Sequence, residues 1–189
     1  MRECENLDRV IDGCRRGDRA AFQLLFEAYK DKVYSIAFHY SGDESVASDI
    51  SQQVFLKLFT IINQFREDAE FSTWLYRVVA NACMDEHRKR RRFVAVDDAR
   101  EVSAMTAKGS QEELYIKGQV KESVRAAIAD LSPKLRMPIL LKYVEDLSYE
   151  EIASVLDCSK GTVASRLNRG HKALARKLAH LRESFASGE

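Results

Sequence analysis

The chain has 189 residues, with 30 Lys and Arg against 29 Asp and Glu and a formal charge of +1. At 46% hydrophobic and 31% charged it is too apolar for a disordered chain and long enough for one or two domains with cores of their own. No apolar run approaches the roughly 18 residues that cross a bilayer and the start holds no signal-peptide stretch, which points to the cytoplasm; 2 Pro and 8 Gly are too few for the turns of an all-β fold.

In chain order, a short helix is expected around 7–13. From Phe22 the apolar residues Leu25, Phe26, Tyr29, Val33, Ile36, Ala37 and Tyr40 recur at steps of three and four, one face of a helix. Val46, Ile50, Val54, Phe55, Leu58, Phe59 and Ile62 mark a second. Phe71, Trp74, Leu75, Val78, Val79 and Ala82 mark a third, which follows the polar break 66–70 and ends in the basic run 87–92. Between 93 and 111 periodicity fails and small or polar residues take over, as in a flexible linker. Helical spacing resumes at Val120, Val124, Ala127, Ile128 and Leu131, and Ser132-Pro133 opens the next helix, with Pro138 costing it one backbone bond. Ser148 and Glu151 are spaced as a capping box, with Leu147 and Ile152 as its hydrophobic staple, and Ser159 starts a further helix at Lys160. The expected fold is all-α: an N-terminal helix bundle, 1–92, a linker, 93–111, and a C-terminal helix-turn-helix domain, 112–189.

Chemistry concentrates in two places. From Lys160 to Arg182 there are seven basic residues and no acid, while Val163, Leu167, Gly170, Leu174, Leu178 and Leu181 form the packing stripe of the same helix. A basic helix alone reads as a solvated face; behind a capped helix and a short turn it reads as a DNA-recognition helix. Its Lys and Arg suit phosphates, Ser165, Asn168 and Arg169 suit base edges in a major groove, and the Gly161 and Thr162 amides suit a phosphate. The second place is the helix from Phe71. Phe65, Phe71, Trp74 and Tyr76 gather at one end, Arg77, Asn81 and Asp85 follow one turn apart, and a basic run closes it. Aromatic rings and amides beside bases suit an unstacked single strand, although Phe71 and Trp74 also lie on the apolar stripe and read equally as core. The acidic residues Glu145, Asp146, Glu150 and Glu151 suit a weak, salt-dependent approach to the 88–92 patch; two halves tumbling independently fit the composition as well.

No enzyme motif is present: the four His are scattered, and G-x-S-x-G, P-loop and G-x-G-x-x-G are missing. Cys4, Cys14, Cys83 and Cys158 lie far apart with no C-x-x-C pair, so free thiols are expected, with no metal and no cofactor.

The stretches VASDISQQVFLKLFTIINQF and FSTWLYRVVANACMDEHRKRRR resemble region 2 of the bacterial sigma-70 family, and LSPKLRMPILLKYVEDLSYEEIASVLDCSKGTVASRLNRGHKALARKL resembles its region 4. Their order and the short linker, which leaves no room for region 3, resemble the extracytoplasmic function subfamily of sigma factors. That resemblance implies promoter-specific transcription initiation without catalysis, and as partners core RNA polymerase (β′ clamp helices and β flap), promoter DNA and an anti-sigma factor. Asp49, Gln52, Gln53 and Lys57 match the helix that docks the clamp helices, with Gln53 standing where an acid is common. Phe65, Phe71, Arg77, Asn81, Asp85, Arg88 and Lys89 fall to the minus-ten element, Asn81 at the flipped base. Lys160, Thr162, Ala164, Ser165, Arg166, Asn168, Arg169 and Lys172 fall to the minus-thirty-five element, Ala164 and Asn168 replacing side chains that are often larger or basic. The alternative is a one-component helix-turn-helix repressor that binds operator duplex as a dimer.

Overall fold

A computed structural model describes residues 2–66, 70–94, 112–179 and 181. The described residues form eight α-helices and one 3-10 turn, with no strand among them: α1 (Arg2–Arg15), α2 (Arg19–Ser41), α3 (Glu44–Ile61), the 3-10 turn (Ile62–Gln64), α4 (Phe71–Val94), α5 (Glu112–Ala129), α6 (Pro133–Tyr143), α7 (Tyr149–Val155) and α8 (Lys160–Lys177). The linker expected over 93–111 falls largely outside the described residues; α4 runs two residues past the expected boundary, to Val94.

Helix ends follow the local chemistry. Asp18 and Asp43 cap α2 and α3, accepting from the amides of Ala20 and Val46 at 2.8 and 2.9 Å. Gly42 ends α2 in the left-handed region, φ 73°, where its amide donates to the Phe38 carbonyl. α1 starts well before the apolar spacing expected over 7–13, because periodicity marks a buried face and not the ends of a helix. α6 passes through Pro138 rather than ending there; the proline is itself buried. Ser132 stands at the N-cap of α6 without a hydroxyl cap bond, its carbonyl accepting from the amides of Leu135 and Arg136 instead.

Helices α1 to α4 pack as one bundle around Leu25, Ile36, Ile50, Leu58 and Leu75, each fully buried and worth about 1.5 to 3 kcal/mol of transfer free energy. In the C-terminal half α8 lies across α6 and α7, with Val163, Leu167 and Gly170 turned inward. The two halves also meet: α2 packs on α5 and α6, and α4 on α6 and α7, so that the buried residues of both form one continuous apolar cluster. Arg136 pins the seam. Its Nη1 donates to the Tyr40 carbonyl at 2.7 Å and its Nη2 to the carbonyls of Leu131 and Ala129, while the guanidinium lies over the Tyr40 ring at 4.8 Å. Burial pulls the Arg136 pKa down and pushes the Tyr40 phenol up to about 12.

Candidate nucleic-acid interface

The helix-turn-helix is built by two caps. The Ser148 amide donates to Glu151 at 2.7 Å and the Glu151 amide to the Ser148 hydroxyl at 3.2 Å, both halves of the capping box, with Leu147 and Ile152 buried beneath. The bond from Ser148 holds the Glu151 carboxyl below its usual range. After α7 the chain turns at Asp157, φ 48°, and Ser159 caps α8 by accepting from the Thr162 amide at 3.1 Å. That amide is thereby taken from the pair considered for a phosphate.

α8 divides its faces as the sequence pattern implies. Ala164, Ser165, Asn168, Arg169 and Lys172 are exposed along one side, opposite the buried stripe. Two other members of the set are engaged within the protein. Lys160 is exposed but pairs with Glu150, lowering that carboxyl's pKa, and Arg166 is half-buried with Nη1 3.7 Å from Cys158 Sγ. Thr162 is half-buried behind its cap.

On α4 the residues expected to act together separate into two layers. Phe65 and Phe71, 4% and 3% exposed, stack edge-to-face at 5.2 Å and lean on Trp74 at 5.4 and 5.7 Å, with Tyr29 behind Phe71. Both phenylalanines therefore lie in the core. Arg15 of α1 steadies the end of this loop by donating to the Phe65 carbonyl at 2.8 Å. The outer layer is Arg77, Asn81, Asp85, Arg88 and Lys89, all exposed. Asp85 and Arg88 pair at 2.8 Å, and Arg90 and Lys89 share Glu86.

Beside the aromatic layer lies a cavity of about 380 Å³ lined by Gln64, Phe65, Arg66, Thr73, Trp74, Arg77 and Ser154. Ser154 belongs to α7 of the other half, and its carbonyl accepts from Arg77 at 2.5 Å. Next to it Tyr76 donates to Glu145 at 2.6 Å; burial first, and this bond second, raise the Tyr76 pKa. The acidic segment thus meets α4 through Tyr76, while Arg88, Lys89 and Arg90 pair with acids of their own helix.

A larger groove of about 580 Å³ runs between α2 and α3, floored by Phe22, Phe26 and Phe55 and edged by Tyr34, Leu56 and Phe59. Leu56 and Phe59 are 63% and 57% exposed. Gln52 lines the groove, and Asp49, Gln53 and Lys57 are exposed on the same helix. The sequence signal for this site is Leu56, an apolar residue off the buried stripe of α3; Phe59 shares the spacing of the stripe yet is exposed. Among the described residues no group of His, Cys, Asp and Glu is arranged to hold a metal, and no helix is long and apolar enough to cross a membrane.

A helix-turn-helix whose last helix is basic and open along one side, joined to a helix bundle whose α4 carries an exposed row of polar and basic residues, defines a two-domain helical factor of DNA-binding type. Comparison with known proteins gives the family. Sigma-70 region 2 matches residues 25–93 and Sigma-70, region 4 matches residues 121–174. The ECF RNA polymerase sigma factor SigW of Bacillus subtilis is 31% identical across 93% of this chain and 98% of its own. The ECF RNA polymerase sigma-E factor of Escherichia coli is 34% identical across 91% and 94%. The fold resembles that of the sigma factor RpoE in complex with the anti-sigma factor NepR from Bartonella quintana, TM-score 0.67, 23% identical, covering 84% of this chain and 96% of that one. It also resembles CnrH in complex with the cytosolic domain of CnrY, TM-score 0.67, 20% identical, covering 90% and 96%. The chain belongs to the extracytoplasmic function subfamily of the sigma-70 family and is an RNA polymerase sigma factor. Membership favours this over the operator-binding repressor.

Proposed function

We propose that residues 1–92 dock the core polymerase and capture the minus-ten strand, that 112–189 read the minus-thirty-five duplex, and that 93–111 join them. The observation that carries this reading is the one-signed, exposed face of α8 behind a fully formed capping box. Arg169 and Ser165 reach base edges, with Asn168 and Ala164 beside them, and Lys172 meets phosphate. Lys160, Thr162 and Arg166 hold the start of the helix in place as it meets the backbone.

In the N-terminal half Asn81 takes the unstacked base, Arg77, Arg88 and Lys89 the strand backbone, and Asp85 orients Arg88. Phe65 and Phe71 act from beneath, as the floor under Trp74. The β′ clamp helices settle on Asp49, Gln52, Gln53 and Lys57, with the apolar groove of Leu56 and Phe59 as the adjoining contact; the β flap is met by the C-terminal half. The factor works in the cytoplasm, needs no cofactor, and leaves nucleotide addition to the polymerase. An anti-sigma factor is the expected regulator, in keeping with the complexes in which RpoE and CnrH were solved.

Co-purification with core polymerase followed by run-off transcription on candidate promoters tests the reading. Promoter-dependent transcripts only in the presence of both are expected. Tight binding of operator duplex without core, as a dimer, would sink it.

A further inference from the structure

We propose that Tyr143 of α6 and His171 of α8 together form a contact for a backbone phosphate of the duplex that α8 reads. The inference rests on the assignment of the open face of α8 to DNA and extends that interface to a second helix.

Helix packing brings the two residues together. Ile139 of α6 lies against Gly170, and one turn along α6 Tyr143 meets the next residue of α8, His171. The two rings stand edge-on with centroids 5.6 Å apart, and Tyr143 Oη lies 2.9 Å from His171 Nε2. Packing does not account for the phenol. Tyr143 is 64% exposed, and among the described residues it is the one large apolar side chain of the C-terminal half that stands so far in water. Its exposed hydrogen bond adds little to stability.

The position of the pair suits DNA. Ala164, Asn168, His171 and Ala175 follow on α8 at steps of four, three and four, all exposed, so they form one edge of the helix between its open face and α6. A major groove about 12 Å wide takes a helix of about the same diameter, which sets the edges of a reading helix against the phosphate walls. The two alanines keep this edge low, and Tyr143 with His171 projects from it.

The chemistry suits a phosphate oxygen. A phenol that donates to Nε2 leaves the imidazole its N–H on Nδ1, and an imidazole that donates from Nε2 leaves the phenol its O–H, so the pair always keeps a donor to offer. Among the described residues neither side chain has a second hydrogen-bond partner. Arg169 and Lys172, exposed on the same helix, supply the positive field around that donor. The acids that follow α6 are engaged elsewhere: Asp146 pairs with Lys142 at 3.5 Å, and Glu145 accepts from Tyr76 at 2.6 Å.

The open face of α8 is exposed in the full chain, so the full-length protein makes the test, with two short fluorescent duplexes of unrelated sequence titrated over a range of salt. Mildly alkaline pH keeps ordinary imidazoles neutral. Tyr143→Phe keeps the ring and its edge-on packing while removing the hydroxyl; His171→Leu removes the other half of the pair. Each is expected to lower affinity for both duplexes about two- to fourfold, and the double variant about five- to tenfold. The salt slope of the double variant stays at the wild-type value, because a neutral donor releases no counterion, whereas Lys172→Ala flattens it. Wild-type affinity in the double variant overturns the proposal. A loss confined to one duplex also overturns it, by making the pair a reader of bases, and so does a flattened slope in the double variant, by making it a support for the charged residues. Lys172→Ala reads the underlying assignment separately. If it weakens binding while the double variant matches wild type, the phosphate contact is wrong and the reading helix stands; if it binds as wild type does, the assignment of α8 falls too.

Discussion

Arg169 and Ser165 stand one turn apart on the open face of α8, and among the described residues neither has a side-chain partner that DNA would need to displace. Replacing either with Ala is expected to lower transcription from the cognate promoter through a lost base contact worth about 1 to 3 kcal/mol, with core occupancy unchanged. Equal transcription by wild type and Arg169→Ala at matched core occupancy would remove that face from the site. Asn81→Ala is expected to fail at a later step: closed complexes form, opening slows, and a pre-melted template restores much of the rate, because the base proposed for Asn81 would be met only after leaving the stack. Permanganate footprints of the opening region over time read this directly. The cysteines divide by burial. Cys83 is fully buried and its thiol is pushed up to about 12, and Cys14 is buried and raised as well; half-buried Cys158 is the one of these three expected to react first with an alkylating reagent, followed by peptide mass mapping. At this scale the sequence was most informative where a residue's role is to face water. It could not separate Phe65 and Phe71 from Asn81, because aromatic rings at helical spacing fit a core and a base-stacking surface alike, and only their burial, edge-to-face on one another and tilted against Trp74 and Tyr29, decides between them.

Among the elements, α7 and α8 were the most legible, since caps are local: Ser148, Glu151 and Ser159 act on amides within three residues of themselves. Ser148→Ala is expected to cost about 1 kcal/mol, seen as a lower melting temperature. Glu151 adds a pH dependence. Its folded pKa is depressed, so its stabilisation is complete above the unfolded carboxylate value, about 4.3, and is lost as pH falls through the lower folded value. Glu151→Gln keeps a capping side chain without the charge, and its melting temperature is expected to vary less than that of wild type across that acid window. Packing at Gly170 was not legible as a close approach, because it depends on a residue of another helix. A Cβ there would lie 3.0 Å from Ile139 Cγ1, and Ile139 is buried against α8, so Gly170→Ala is expected to destabilise by about 1 to 3 kcal/mol in chemical denaturation. Pro138 shows the opposite limit: a residue that usually ends helices is accommodated inside α6 because the surrounding core holds the helix around it.

For the whole molecule, two halves follow from the failure of periodicity between them, but their contact does not. Charge alone suits an approach of the acidic segment to the 88–92 run no better than it suits two independent halves, and Asp85 and Glu86 lie one turn from those bases and claim Arg88, Lys89 and Arg90 first. Intrahelical neighbours come at little entropic cost, so they outcompete a distant patch. Across the seam the acidic segment contributes Glu145, which accepts from Tyr76 rather than from a base, and two further bonds end on the carbonyls of Tyr40 and Ser154, which no side-chain pattern records.

The three bonds across that seam join residues 69, 77 and 96 positions apart, while the caps and helices on either side are closed by residues a few positions apart. Contacts of such long sequence separation form late, after local structure has been made. On a ribosome adding about 5 to 20 residues per second, the last residue of α4 is joined several seconds before Glu145 and Ser154 have been synthesised. A nascent chain therefore passes through a window in which the face of α4 proposed for the strand is complete and bare. Chains truncated by stalled translation past α4 would retain that state permanently, with the Tyr76 hydroxyl and the Arg77 guanidinium left without the partners that Glu145 and Ser154 supply.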